Sequence, residues 1–126
     1  MWRAWKYYPG LVDHPGHHVA RKQMAGFGGM VSFELDGSIE DVTNFVSSRR
    51  LFALGESLGG VKSLVCHPAR MTHASIPADR RAALGLSDAL IRLSPGIEHA
   101  ADLIEDLRAG LHAVAHTHAK SIVICT

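Results

Sequence analysis

The chain predicts an α+β fold, a small sheet with helices layered together on one face, on three observations. Two stretches carry apolar residues at every second position, Val31-Phe33-Leu35 and Ala89-Ile91-Leu93, the period of a strand with one buried face. Two others carry them at helical spacing, Ile39, Val42, Phe45 and Val46, then Ala100, Leu103, Ile104, Leu107, Leu111 and Val114. No repeat or linker composition divides the 126 residues, a length that supports one domain with a real core and is too short for two ordinary ones.

Taken in order, Asp13-His14-Pro15 opens a helix with proline in its first turn, and Val19, Ala20 and Met24 follow on one side of it. Gly26-Phe27-Gly28-Gly29 breaks that pattern ahead of a half-buried strand over 30–35. Asp36-Gly37 makes a turn, and Ser38 with Asp41 is a capping arrangement for a helix that should stop near Arg50. Residues 51–54 read as a strand, 55–60 as a polar loop at its end, and 63–66 as another strand. Thr72-His73-Ala74-Ser75 is irregular, 77–84 reads as a short helix, and 89–94 is a strand. Pro95-Gly96 leads into the clearest helix, with acids crowded into its first turns. Residues 121–126 are strand-like in composition, with no turn chemistry to join them to a partner. The main order is therefore helix, strand, helix, strand, strand, strand, helix.

Composition excludes several classes of partner. Thirteen basic against twelve acidic side chains leave a net charge of +1, with no basic stripe and no interleaved aromatics, so nucleic acid is not expected. The N-terminus lacks the apolar core of a signal peptide and no apolar run is long enough for a bilayer, so no membrane partner and a cytoplasmic location are expected. Cys66 and Cys125 lie far apart and indicate no disulfide framework. His14, His17 and His18, then His112, His116 and His118, lack the accompanying acids or cysteines of a specific metal site and read as solvated surface histidines.

Arg92 stands out because it interrupts Ala89-Leu90-Ile91-Arg92-Leu93-Ser94, an otherwise buried-strand pattern. Burying a guanidinium costs several kcal/mol, roughly, unless a carboxylate or phosphate meets it in two-pronged geometry. Alternation sends Ala89, Ile91 and Leu93 to one face and Leu90, Arg92 and Ser94 to the other. From the strand alone, an ion pair with one of the chain's own acids or an edge arginine in solvent is the simpler reading. Glu56-Ser57-Leu58-Gly59-Gly60 could bring backbone amides close to a ligand or could be an ordinary turn. Thr72 and His73 could equally cap backbone groups.

In order, Tyr8-Pro9-Gly10-Leu11, His14-Pro15 with His17, Arg21-Lys22-Gln23-Met24, Gly29-Met30, Glu56-Ser57-Leu58-Gly59-Gly60, Met71-Thr72-His73-Ala74-Ser75 and Leu84-Gly85-Leu86-Ser87-Asp88 through Arg92-Leu93-Ser94 closely resemble the C-terminal region of the Cys/Met-metabolism pyridoxal-phosphate enzymes. These include cystathionine γ-synthase, the cystathionine γ- and β-lyases, methionine γ-lyase and the O-acyl-homoserine sulfhydrylases. The likeness runs from about Tyr7 to about Leu111 and covers roughly the last third of such enzymes. It implies the C-terminal domain of fold-type I enzymes, a mostly antiparallel sheet with helices on one face, over residues 1–114, followed by an atypical tail over 115–126. It further implies that Arg92 holds the α-carboxylate of an amino-acid substrate, with Ser57 beside that carboxylate and Glu56 at a position associated with choosing among substrate side chains. Thr72 matches a threonine near the active site, with loop packing an equal alternative.

The family's cofactor forms a Schiff base with a lysine in a Ser-x-Thr-Lys-Tyr pattern, and none of Lys6, Lys22, Lys62 or Lys120 lies in one. The resemblance thus implies pyridoxal 5'-phosphate bound by residues outside this chain, on an N-terminal domain, within a homo-oligomeric, homotetramer-forming assembly. Alone, the chain should be inactive. Pro95 stands where a small apolar residue is common and should remove a ladder donor, and Lys62 replaces a frequent glutamate. The expected function is substrate-carboxylate binding in a transsulfuration enzyme for sulfur amino acids or activated homoserine, with Glu56 favouring cystathionine. The alternatives are a truncated remnant that docks onto a full-length paralogue and a gene fragment with no role of its own.

Overall fold

The computed structural model describes residues 6–117. The strand-like 121–126 segment, His118, Lys120 and Cys125 lie outside the described residues, as does most of the tail. Nine elements follow in order: β1 (Lys6–Tyr7), α1 (His17–Gln23), β2 (Val31–Glu34), α2 (Ile39–Ser47), β3 (Ala53–Leu54), β4 (Leu64–Cys66), α3 (Ala78–Ala83), β5 (Leu90–Ser94) and α4 (Ala100–Thr117). The strands form one sheet in the order β1-β2-β5-β4-β3, antiparallel except for the β3–β4 pair, which is the α+β architecture expected.

The core lies between one face of this sheet and the helices α2 and α4. Val42, Phe45 and Val46 of α2 meet Val65, Ile91 and Leu93 of the sheet and Leu103 and Val114 of α4, all buried. Phe33 of β2 sets its ring edge-on to Phe45 at 5.9 Å and 89°. α2 begins where the sequence places it, because Ser38 N–H donates to Asp41 Oδ2 (2.6 Å) and Asp41 N–H donates to Ser38 Oγ (3.2 Å). α1 and α3 add nothing to this core cluster.

Several boundaries differ from the sequence reading. α1 starts at His17, because the 8–16 segment is taken up by successive turns, Leu11 N–H to Tyr8 O, His14 N–H to Leu11 O and His17 N–H to His14 O. β1 was not anticipated; it is a two-residue exposed edge, too short to show alternation. The strand expected over 51–54 shortens to Ala53–Leu54, and α2 ends at Ser47 rather than near Arg50. Asp106 of α4 explains the second junction. Its carboxylate accepts the N–H groups of Arg50 (2.8 Å), Leu51 (3.0 Å) and Phe52 (3.2 Å), withdrawing these residues from any ladder. Pro95 falls just beyond β5, whose ladder ends with Ser94 opposite Leu64, so it removes no bond from the described strand.

Asp106 is 7% exposed and joins α2, β3 and α4 through one side chain. Burial alone would raise its carboxyl pKa, but the three backbone donors and the Arg49 guanidinium more than offset that and hold it below the ordinary carboxylate range. Replacing Asp106 with alanine should therefore lower unfolding stability by about 3 kcal/mol, since three backbone donors lose their acceptor and Arg49 its anion. A group whose folded pKa is depressed stabilises above its unfolded pKa and loses that contribution as pH falls through the folded value. Urea unfolding from pH 7 to pH 2.5 should show wild-type stability falling below about pH 4, and a shallower fall in Asp106→Asn.

Candidate functional site

β5 is paired on both edges, so its alternation is fixed by two neighbours. With Ile91 and Leu93 in the core, Arg92 and Ser94 lie on the opposite face. In register, Arg92 stands between Ser32 of β2 and Cys66 of β4.

The β3–β4 pair decides what covers that face. Parallel strands cannot be joined by a tight hairpin, so residues 55–63 must cross over the sheet, and they cross on the Arg92 side. The loop is pinned at spaced points. Gly55 N–H donates to Val65 O (3.0 Å), Gly59 N–H to Ser94 Oγ (2.9 Å), and Ile97 N–H to Val61 O (2.9 Å). Ser63 gives its N–H and hydroxyl to the two oxygens of Glu98 at 2.9 and 2.8 Å, and these bonds hold the Glu98 carboxyl below its ordinary range. Gly59 has φ +72°, a conformation that side chains other than glycine's strain to reach.

Arg92 reaches the loop's main chain. Its Nη2 donates to the carbonyls of Glu56 (2.7 Å) and Ser57 (3.2 Å), while the side chains of both residues are exposed. Among the described residues, Arg92 has no ion pair with any carboxylate, and its buried Nε has no partner. The internal ion pair that the strand alone suggested is thus not the arrangement found. The guanidinium is half-buried, oriented by neutral carbonyls and without a carboxylate partner among the described residues.

Thr72 arrives from the next loop. His67, 2% exposed, donates through Nε2–H to the Asp88 carbonyl at 2.8 Å and anchors the turns that follow β4. Thr72 then lies close to Cys66, with its Oγ1 2.7 Å from His73 Nδ1. Burial pushes the Cys66 thiol up, against the pull of Arg92 and Thr72. The thiol therefore stays neutral and gives Arg92 no negative charge. The four residues marked by sequence are brought together in part: Arg92 touches Glu56 and Ser57, and Thr72 meets the arginine's neighbour.

Two members of this group carried no assigned role in the sequence reading. Ser94 shares a face with Arg92 two residues earlier, a signal open to alternation. Cys66 is opposite Arg92 only through strand register, which alternation does not reveal. The histidines also part from expectation in two cases, for His14 is half-buried and accepts the Gly16 N–H through Nδ1 at 3.0 Å. His17 is half-buried, stacked on Phe27 at 5.2 Å, with Nδ1–H donating to the Pro9 carbonyl at 2.8 Å, whereas His18 and His112 are exposed. Among the described residues, no group of three or more His, Cys, Asp or Glu side chains is placed to hold a metal ion. Nor is any helix there long and apolar enough to cross a membrane.

The fold is that of a pyridoxal-phosphate enzyme family. The family model described as Cys/Met metabolism PLP-dependent enzyme matches residues 3–112, and the chain belongs to that family. Its relatives include the cystathionine gamma-lyase of Bacillus subtilis, 56% identical over 86% of this chain, and a cystathionine beta-lyase of Lactococcus lactis subsp. cremoris, 57% identical over 83% of it. The chain spans only 28% and 27% of those two proteins. The solved cystathionine gamma synthase of Xanthomonas oryzae pv. oryzae, in complex with cystathionine, superposes with a TM-score of 0.86 at 56% identity. That likeness covers 93% of this chain and 30% of the solved one.

The described residues do not fit a covalently held pyridoxal phosphate. Lys6, Lys22 and Lys62 are all exposed on the surface, and none is enclosed by other side chains.

Gly96 is a further constraint on the loop. A Cβ there would run into the Val61 carbonyl, a backbone atom that cannot swing aside, while Gly96 N–H donates to Ser63 Oγ at 2.8 Å. Gly96→Ala should lower stability by about 1–3 kcal/mol in urea unfolding and shift the amide resonances of residues 61–63.

Proposed function

We propose that this chain supplies the substrate-carboxylate site of a pyridoxal-phosphate-dependent transsulfuration enzyme, with residues 1–114 acting as a C-terminal domain. The observation that carries this reading is the unpaired charge of Arg92. Two main-chain carbonyls aim the guanidinium, no carboxylate among the described residues neutralises it, and Nη1 has no partner there. An incoming carboxylate would gain charge-assisted hydrogen bonds of about 1.5–3 kcal/mol each from a group already oriented. Ser57 lies beside that carboxylate, Glu56 faces the substrate's side chain, and Thr72 stands near the site in the loop that follows Cys66. The substrate class is a sulfur amino acid or activated homoserine, with cystathionine favoured by Glu56 and by the solved relative that binds it. Relatives with lyase and synthase names are nearly equally similar, so the reading stops at the family's shared carboxylate step.

The cofactor, on this reading, is held by residues outside the chain. When bound, it supplies the electron sink for removing protons next to the amino group. What these residues contribute is orientation: Arg92 fixes one end of the substrate, and the 55–63 loop fixes Arg92. The partners are a cofactor-binding domain and further subunits. Val61 and Ile97, 71% and 81% exposed and joined through their backbones, offer an apolar contact for such a domain.

Titration of the chain with L-cystathionine, followed by the Arg92 Nε–H and Ser57 amide resonances, should show saturable shifts. Arg92→Leu should abolish them, and Arg92→Lys should weaken binding at least tenfold, because an ammonium is a point charge without the planar fork. Retained affinity in Arg92→Leu would refute the assignment. Incubation of the chain with pyridoxal phosphate and borohydride should leave no single lysine stoichiometrically modified, as read by mass spectrometry.

A further inference from the structure

We infer that Ser94 is a positioning residue for Arg92, holding in place the loop that aims the guanidinium; this rests on the carboxylate-binding reading above and names a further residue of that site. β5 projects Arg92 and Ser94 from the same face, two residues apart, and both engage one short stretch of the crossover loop. Arg92 takes the carbonyls of Glu56 and Ser57, and Ser94 Oγ accepts the N–H of Gly59 at 2.9 Å.

The spacing of the loop's other anchors gives this bond its weight. Gly55 is tied to Val65 and Val61 to Ile97, so among the described residues the stretch between them would, without Ser94, have only Arg92 itself to hold it. The two carbonyls that orient Arg92 lie within that stretch. Gly59 sits at its bend with φ +72°, so the Ser94 bond fixes the backbone where the loop turns. Ser94 is 3% exposed, and its hydroxyl is therefore committed to this interior contact rather than to water. The strand thus sets the arginine and the seat of the arginine from adjacent positions on one face. When the seat is fixed, a carboxylate meets a guanidinium with little orientational freedom left to lose.

The test uses the isotopically labelled full chain, Ser94→Ala and Ser94→Thr, each with its urea midpoint measured as a control for general stability. In the unmodified chain, the Gly59 amide should exchange at least tenfold more slowly than that of Gly60, for which no acceptor is present among the described residues. In Ser94→Ala, Gly59 should lose that protection, the Arg92 Nε–H resonance should move, and L-cystathionine should bind about fivefold more weakly, the factor worth ~1 kcal/mol. The amides of Val65 and Leu93 should keep their protection. Ser94→Thr, which retains the hydroxyl, should restore the Nε–H position and the affinity. The proposal is overturned if Ser94→Ala leaves the Nε–H resonance unmoved and binds within twofold of the unmodified chain. It is equally overturned if Gly59 and Gly60 exchange alike in the unmodified chain, a result that needs no variant to fold. Absence of cystathionine binding by the unmodified chain refutes the carboxylate reading instead, and the exchange and Nε–H results then decide the role of Ser94 alone.

Discussion

β5 is hydrogen-bonded to β2 on one side and β4 on the other, so its backbone has no freedom to turn. Ile91 and Leu93, buried against α2 and α4, select which face is inside. Everything at the candidate site follows from that choice. Arg92, between Ser32 and Cys66, and Ser94, opposite Leu64, must then emerge together on the far face, and any chain segment crossing that face must pass over them. Slipping the strand by one residue would drive a permanent charge into the core and expose Ile91 and Leu93. The apolar contacts and the cost of burying a guanidinium therefore reject the same alternative.

Two carboxylates keep the surroundings of β5 rigid without taking part in its charge. Asp106 gathers the amides of Arg50, Leu51 and Phe52 and so decides where α2 ends and where β3 starts. Glu98 grips Ser63 through both oxygens and sets where the crossover loop rejoins the sheet. Both accept backbone N–H groups, which satisfies donors that an irregular segment would otherwise leave unpaired. Arg92 differs from them: its neighbours are carbonyls and a thiol that burial keeps neutral. Asp106 and Glu98 thus serve the architecture, while Arg92 has no carboxylate partner among the described residues.

How far residues alone reveal this varies with the kind of signal. Ser38 and Asp41 announce the start of α2 because a capping box is local, and the structure contains it. The helical spacing of Leu103, Leu107 and Val114 identifies α4 and its inward face for the same reason. The end of α2 is misjudged by a few residues because the group that ends it, Asp106, lies 56 positions from Arg50. β1 escapes notice because two residues cannot display a period, and it exists only by pairing with β2. Glu56 and Ser57 are recognisable by motif, yet their contact with Arg92 is through carbonyls, groups that every residue carries and no side-chain pattern marks.

The order of motifs carried the resemblance to the family, and the residues alone marked the α+β class, the faces of β5 and α4, and Arg92 as a charge out of keeping with its strand. Class, faces and charge are matters of local periodicity, capping and the fixed charge of a guanidinium, all written into short stretches of chain. Only the tertiary structure decided that β3 and β4 run parallel, that their connection crosses over Arg92, and that Cys66 stands beside it. Strand register and crossover path depend on which distant segments satisfy one another's backbone groups and bury one another's apolar faces.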